Sequence, residues 1–495
     1  MLNYSRQVFR DKTKINVKYL QLNKSGVFSS LNVFKILLCV NIILFYYLAS
    51  YGTFSPRNFS NAGRSQYYFG AALALIKGKF DVDPQYLEGW NGECFHYKNG
   101  CFGYFGLFPS VLRIPIIFIF NGQHNFQIFF LVFSYAAIVI GLYYLIKLIM
   151  KWLNIDKLGY FQVIVLAVLT TFTPFQYLAI RGYMYEEAIL WGIAFLMSTL
   201  GFLLKYTLSR NDRYFYLANL CAAFALHSRI IEGVSSFVAC ILVLFLFPLE
   251  GRLKHLYRKV TVWAFLGASF PLSNFLKFGV VNPSITHHGG YITNPAKLQL
   301  VEKCGEMNIS RLPVELFLYL FPNFKNFPFG TPYSPNQYTF RFAQINVSSS
   351  CIESGEYFIP LSITYFLSFI LSLLLLWNLR KLPRSKIWIL IFLPLMVNIL
   401  LISSFLGMTQ RYIADIFPFF LLLSIITTLT NPNLFRLKYF KFLWGMLITF
   451  QVVLSYVTIL IFWTIWLDRP PEFSHLPLAK NDFVIERIEA ATDYK

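Results

Sequence analysis

Charge is what this sequence has least of. Asp, Glu, Lys and Arg make up 13% of its 495 residues, where a soluble domain carries about 25%. Together with a hydrophobic content of 56%, that scarcity excludes an ordinary water-soluble globule. Acids are the rarer sign, 23 against 43 basic residues. Compact catalytic motifs are missing as well. There is no GxxxxGK[ST] loop, no HExxH and no GxSxG, which argues against the nucleotide, zinc-protease and serine-hydrolase chemistries they carry. No cleavable leader is visible. A polar, basic stretch of about 30 residues precedes the first apolar run, and no small-residue cleavage pattern follows it. That run, 34–51, reads as a retained span. Neither internal repeats nor low-complexity tracts occur. The basic excess forms short clusters between apolar runs and no continuous face, so nucleic acid is excluded as a partner.

What the chain has in quantity is long apolar runs. A span needs about 20 mostly apolar residues. About eleven such runs lie near 32–51, 126–150, 160–179, 183–204, 214–230, 233–249, 260–278, 360–379, 387–406, 412–430 and 440–465. The expected fold is all-α, a polytopic transmembrane helix bundle with its amino end inside. Residues 1–31 form a basic inner segment, 32–465 the bundle and 466–495 an outer tail. Two long outer loops, 52–125 and 280–360, carry juxtamembrane helices. With this topology nearly the whole charge of +20 falls on one side. The inner segments hold clusters such as Lys147, Lys151 and Lys157, or Arg252, Lys254, Arg258 and Lys259, against four acids, Asp11, Asp156, Asp212 and Glu250. The positive-inside rule gives that orientation, and anionic lipid of the inner leaflet is the natural partner of those clusters. The short pair 214–230 and 233–249 suits a re-entrant hairpin. The run 104–120 is assigned to an outer interfacial helix, because Pro109, Arg113 and Pro115 fit a mouth better than a lipid-exposed core.

Almost all carboxylates therefore face outward, and candidate chemistry gathers there. The first outer loop carries Asp81, Asp83, Glu88 and Glu93, then His96, Tyr97 and Lys98. A half-buried carboxylate beside a membrane has its pKa raised toward working pH and can act as a general base; a solvated acidic loop is the plainer reading. A second cluster is Arg181 with Glu186 and Glu187 at a mouth between two spans, where charges face a bundle interior or a wet cavity. A third is His227, Ser228 and Arg229 with Glu232. A fourth is Arg411 and Tyr412 followed by Asp415. A guanidinium in such a place either pairs with its neighbouring acid or grips a phosphate bidentately. Four cysteines, Cys94, Cys101, Cys304 and Cys351, lie in the outer loops, and disulfides between them fit an oxidising compartment. Of the three pairings open, the local ones, Cys94 with Cys101 and Cys304 with Cys351, are the simplest. The adjacent His287 and His288 make no metal site on their own.

Taken in order, these residues resemble a family. A first span is followed by an acid-bearing loop with an amphipathic helix over 66–78, then Lys77 to Asp83, Glu93 to Asn99, and Tyr104-Phe105-Gly106 leading into Pro109 to Pro115. Further on come Tyr185-Glu186-Glu187-Ala188, the Arg229 hairpin, and Arg411-Tyr412 with Asp415-Ile416-Phe417-Pro418. The pattern is similar to bacterial membrane glycosyltransferases of the C-type superfamily, akin to the dolichyl-phosphate-mannose-protein mannosyltransferase and lipid A aminoarabinose transferase groups. The resemblance implies a sugar moved from a polyprenyl-phosphate donor to an acceptor (a glycan, lipid or protein) at the outer face of a cytoplasmic membrane. It implies a catalytic carboxylate among Asp81, Asp83 and Glu93, donor-phosphate contacts from Arg181, Arg229 and Arg411, and substrate contacts from His96, Lys98, Glu186, Glu187, Tyr412 and Asp415. It requires no cofactor and is compatible with a divalent metal. This chain departs from the family in having no acid in 55–66, where many members carry an acidic pair. The alternative class is a transporter or flippase of lipid-linked glycans, which would be built from two matched halves with broken helices.

Overall fold

The computed structural model describes residues 30–50, 66–87, 95–97, 100–103, 106–120, 126–181, 184–247, 253–284, 286, 295–313, 315–316, 340–342, 345–347, 368, 371–373, 385–405, 412–431 and 438–465. In chain order the principal elements are α1 (Ser30–Ala49), α2 (Tyr67–Ile76), β1 (Phe95–Tyr97), β2 (Gly100–Phe102), α3 (Phe108–Ile119), α4 (Gln127–Trp152), α5 (Tyr160–Thr171), α6 (Pro174–Arg181), α7 (Met184–Ser209), α8 (Asp212–Leu226), α9 (Ile230–Leu246), α10 (Leu253–Phe278), α11 (Pro295–Cys304), β3 (Phe340–Phe342), β4 (Ile345–Val347), α12 (Lys386–Ile402), α13 (Ile413–Thr430) and α14 (Lys438–Ile465). The fold is an all-α polytopic helix bundle. Its strands form two small antiparallel hairpins, both in the long loops. Of the described helices, α1, α4, α5 with α6, α7 and α13 are long and apolar enough to cross a membrane. Helices suit that solvent because every backbone polar group is satisfied within the segment.

The core is one continuous layer of Leu, Ile, Val and Phe from α1, α4–α9, α12 and α13. Helix α7 sits at its centre, packed on α4, α8 and α9. The bundle has two distinct ends. At one, Ser30 accepts from the Leu158 N–H, Trp152 meets Trp388, Lys386 donates to the Leu246 carbonyl, and Lys259 pairs with Asp212 at 2.5 Å. Lys205, Arg210 and Arg258 lie over aromatic rings there too. This is the basic end. The opposite end, the mouth, carries α2, α3, the β1–β2 hairpin and α11.

The expected span 360–379 lies mostly outside the described residues. Ser368 and 371–373 are helical, and their carbonyls at Ser368 and Leu371 accept from Ser424 and Thr427 of α13. The run 104–120 is helical over Phe108–Ile119, about 18 Å long, too short to cross.

Candidate active site at the mouth of the bundle

Helices α8 and α9 have 15 and 17 residues, about 22 and 25 Å, against about 39 Å for the 26-residue α7. Their connecting turn, His227 to Arg229, therefore stops short of the mouth. A Cβ built on Gly192 would lie 3.2 Å from Cβ of both Arg229 and Glu232, which puts the turn about two helical turns inside the start of α7. The shortfall leaves a recess, and the first loop fills it. The Phe108 N–H donates to the His227 carbonyl at 2.9 Å. The Phe108 ring packs against Trp191, Phe195 and Phe224 at 5.4, 4.7 and 5.0 Å. Gly106 lies directly on the turn. Helix α2 docks beside this plug, its Tyr68 hydroxyl donating to the Met184 carbonyl at 3.1 Å.

Two buried ionic clusters lie at this end. In the first, Arg113 of α3 grips Glu187 of α7 bidentately, both contacts 2.7 Å, and donates to the Gln127 side chain at 2.6 Å. Gln127 in turn donates to Glu187 at 2.8 Å. The guanidinium lies 4.3 Å from the Phe130 ring centroid, a cation–π contact strengthened by desolvation. Arg113 is 1% exposed and Glu187 0%. Glu187 is thus saturated by donors and has a clamping role rather than that of a base. Glu186 beside it is also buried.

In the second cluster Arg229 donates to Asp415 at 2.7 Å and lies 3.4 Å from Glu232, with the Tyr412 ring 5.2 Å away. Asn398 is anchored between Ser235 and the Asp415 carbonyl. Here two carboxylates share one guanidinium. The Glu232 and Asp415 carboxyls are buried within hydrogen-bond reach of each other, with few other donors around them among the described residues. Buried acceptors left with spare capacity mark strain or function.

The second long loop reaches the mouth through Arg311, 1% exposed. Its guanidinium donates to the carbonyls of Cys304, Gly305, Glu306 and Ser404, capping the end of α11 and tying it to the end of α12. One turn later comes Glu315, fully buried, neither oxygen hydrogen-bonded among the described residues. Burial pushes its carboxyl up to about 9, against the opposing pull of Arg311. An unfolded glutamate ionises near about 4.3. Between those values the folded state holds the extra proton, so this contribution to stability is complete below about pH 4 and is lost as pH rises through about 9. Each unit in that window costs about 1.4 kcal/mol. Glu315→Gln keeps the shape and removes the titration. Its thermal midpoint in detergent is expected to match wild type at pH 4 and to exceed it increasingly up to pH 9; parallel curves would reject the assignment.

Of the residues singled out from sequence, Glu186 and Glu187 are buried in the first turn of α7, Glu187 in the first cluster, while Arg229, Tyr412 and Asp415 meet in the second. Asp81 and Asp83 are exposed at its rim, and Asp83 accepts from the backbone and side chain of Gln85, starting a short 3-10 turn. His96 sits in β1 opposite Cys101 of β2. Among the described residues the partner of Asp415 is Arg229, from a distant helix. Glu93, Lys98 and Arg411, the side chains of His96 and Arg181, His287, His288, Cys94 and Cys351 lie outside the described residues, as does the Cys101 side chain. Cys304 is disulfide-bonded. No group of three or more His, Cys, Asp or Glu among the described residues could hold a metal. Sequence reasoning passed over the roles of Arg113, Gln127 and Glu315. The available signal was a charge or amide inside an apolar run.

No protein family and no curated protein matches the chain by sequence. Among solved structures it is similar to the crystal structure of ArnT from Cupriavidus metallidurans bound to undecaprenyl phosphate. The match covers 89% of this chain at 11% identity with a TM-score of 0.47, and the chain spans 66% of that protein, just under two thirds.

Proposed function

We propose that this protein is an integral membrane glycosyltransferase that moves a sugar from a polyprenyl-phosphate donor to an acceptor at the outer face of a bacterial cytoplasmic membrane. The observation that carries this reading is Arg229, held between the two buried carboxylates Asp415 and Glu232 beneath a loop plug. Charges set this deep in a bundle are costly and mark function. Asp81 and Asp83 stand at the rim above, and Glu93 follows in the same loop. One of these takes the proton from the acceptor hydroxyl as it attacks the anomeric carbon. The departing phosphate is met by cations at the mouth, Arg229 exchanging Asp415 for the phosphate oxygens, with Arg181 and Arg411 as further contacts. His96, Lys98, Glu186, Glu187, Tyr412 and Asp415 line the substrate side, Glu187 acting through Arg113. Removal of a general base costs about 10²- to 10⁴-fold in rate. Asp81→Asn, Asp83→Asn and Glu93→Gln are to be assayed singly for transfer from a polyprenyl-phosphate sugar in membranes. One is expected to fall by that factor; full transfer in all three rejects the assignment.

A second reading has one observation in its favour. The third span is broken at Phe172 and Thr173, between α5 and α6. Tyr135 and Gln451 donate to the freed carbonyls of Thr171 and Phe172, while Oγ1 of Thr173 and Oε1 of Gln176 are buried without partners among the described residues. Broken helices are the mark of transporters. Flux of a lipid-linked glycan across proteoliposomes without covalent transfer would decide for it.

A further inference from the structure

The break between α5 and α6 is a polar island inside an apolar bundle. Helix α5 has 12 residues, about 18 Å, so the break falls a little past the middle of a hydrocarbon core about 30 Å thick. The turn is buried, Thr171 1% exposed and Thr173 4%. Side chains from three other spans converge on it. Oδ1 of Asn41, from α1, accepts from the Tyr135 hydroxyl of α4 at 3.0 Å and from Nε2 of Gln176 at 3.4 Å. The Asn41 amide donates to the Tyr456 hydroxyl of α14 at 3.5 Å. Tyr135 also reaches the Thr171 carbonyl at 2.7 Å, and the Gln451 amide reaches the Phe172 carbonyl at 2.8 Å. The four spans bring no charge with them, since 36–50, 126–146, 160–180 and 442–467 contain no Asp, Glu, Lys, Arg or His.

Thr173 and Gln176 hold the N-cap and N3 places of α6, where threonine and glutamine form a capping box. Here neither bond of the box is made. The Thr173 N–H turns back to the Thr171 carbonyl at 3.0 Å. Oγ1 of Thr173 and Oε1 of Gln176 are buried with no hydrogen-bond partner among the described residues. Pro174, the first residue of α6, brings no N–H to the break. The amide and phenol donors around the turn are already engaged with oxygens, so the capacity left over belongs to oxygen.

We infer that the α5–α6 break binds an alkali metal cation, with Oγ1 of Thr173 and Oε1 of Gln176 as side-chain ligands and the carbonyls of Thr171 and Phe172 beside them. The donor set selects the ion class. Calcium and magnesium are held with the help of carboxylates and zinc by nitrogen or sulfur, and the break offers none of these among the described residues. Neutral oxygens suit a single positive charge. The carboxyl end of a half-helix and unwound backbone carbonyls supply partial negative charge for it at mid-membrane depth. A bound ion would tie α1, α4 and α14 to the broken span. The inference rests on neither reading of the function, because it concerns a site that touches neither ionic cluster.

The test uses the full chain in detergent at constant ionic strength, with sodium, potassium or choline chloride, read by thermal unfolding and by calorimetric titration. A saturable rise in midpoint is expected with sodium or potassium and not with choline, and the more effective ion names the preference of the site. A contact to a charged partner carries about ten- to hundredfold in affinity. Thr173→Val keeps the shape of the side chain and is expected to weaken ion binding by that factor, while Thr173→Ser should retain it. Gln176→Leu should act in the same direction as Thr173→Val. Equal midpoints in all three salts would leave only buried water at the break and overturn the site. Wild-type ion affinity in both Thr173→Val and Gln176→Leu would place the ion elsewhere and overturn it too. Sugar transfer is not read in this experiment, so either failure leaves the transferase reading standing.

Discussion

Arg113→Met is expected to destabilise the protein by about 3–5 kcal/mol, because it leaves Glu187 charged, fully buried and with only Gln127 to answer it. Glu187→Gln should cost a comparable amount, stranding the guanidinium between Phe130 and Tyr68. Arg113→Lys should fall short as well, since an ammonium cannot reproduce the fork geometry of two 2.7 Å contacts. The pair ties α3 to the bundle alongside the Phe108 contacts. That helix is short, carries Pro115 in its interior, and exposes Val111, Phe118 and Ile119 on its other side. The informative variant is the double one. Arg113→Met with Glu187→Met removes both charges, and replacing a buried pair by apolar groups is often nearly neutral. The double variant is therefore expected to recover most of the loss, giving a coupling energy well above the about 0.5 kcal/mol of independent sites. Denaturant unfolding in detergent measures the cycle. Single variants each within about 1 kcal/mol of wild type would show that the clamp contributes little and that α3 is held by apolar packing alone.

This clamp also shows where sequence reading stops. Arg113 was legible as a residue that keeps 104–120 out of lipid, and the helix there is indeed too short to span. Its partner was not legible, because Glu187 lies 74 residues away and nothing local couples the two positions. Arg229 follows the same pattern. Its neighbour Glu232 was visible at i,i+3, whereas its closer partner Asp415 comes from 186 residues further on. The spans themselves were the easy part. Runs read at 32–51, 126–150, 183–204 and 412–430 match α1, α4, α7 and α13 within a few residues, since lipid demands both hydrophobicity and internal backbone bonding over a fixed length. The recess came from a length deficit in the pair after α7. Sequence showed the pair to be short, which suggested a re-entrant hairpin. It placed Asp212 among the inner basic segments but could not show the pairing with Lys259 that fixes this end, so that all of the shortfall appears as depth below the mouth.

The depth of that recess makes Gly106 the most sensitive backbone position in the first loop. A Cβ there would lie 2.0 Å from the His227 carbonyl oxygen and 2.1 Å from its carbon, far inside van der Waals contact. The obstacle is backbone, and it cannot yield cheaply. His227 closes α8, and the oxygen in question already accepts from Phe108. Gly106→Ala must therefore lift the plug, breaking that hydrogen bond and pulling Phe108 from between Trp191, Phe195 and Phe224. Emptying a site of that kind costs about 3–5 kcal/mol. Lifting the plug also separates the loop that bears Asp81, Asp83 and Glu93 from Arg229, so sugar transfer is expected to fall at least as far as in the most damaging carboxylate variant. Gly445→Ala is the control. It lies inside α14 with nothing within 4 Å of its added methyl, and exchanging a helical glycine for alanine should stabilise by up to about 1 kcal/mol. Thermal unfolding and limited proteolysis around 104–107 distinguish the two. Gly106→Ala should open the loop to cleavage and Gly445→Ala should not. If Gly106→Ala instead keeps the wild-type midpoint, protection and transfer, the plug does not rest on the His227 turn, and the path from the loop carboxylates to Arg229 has no structural basis.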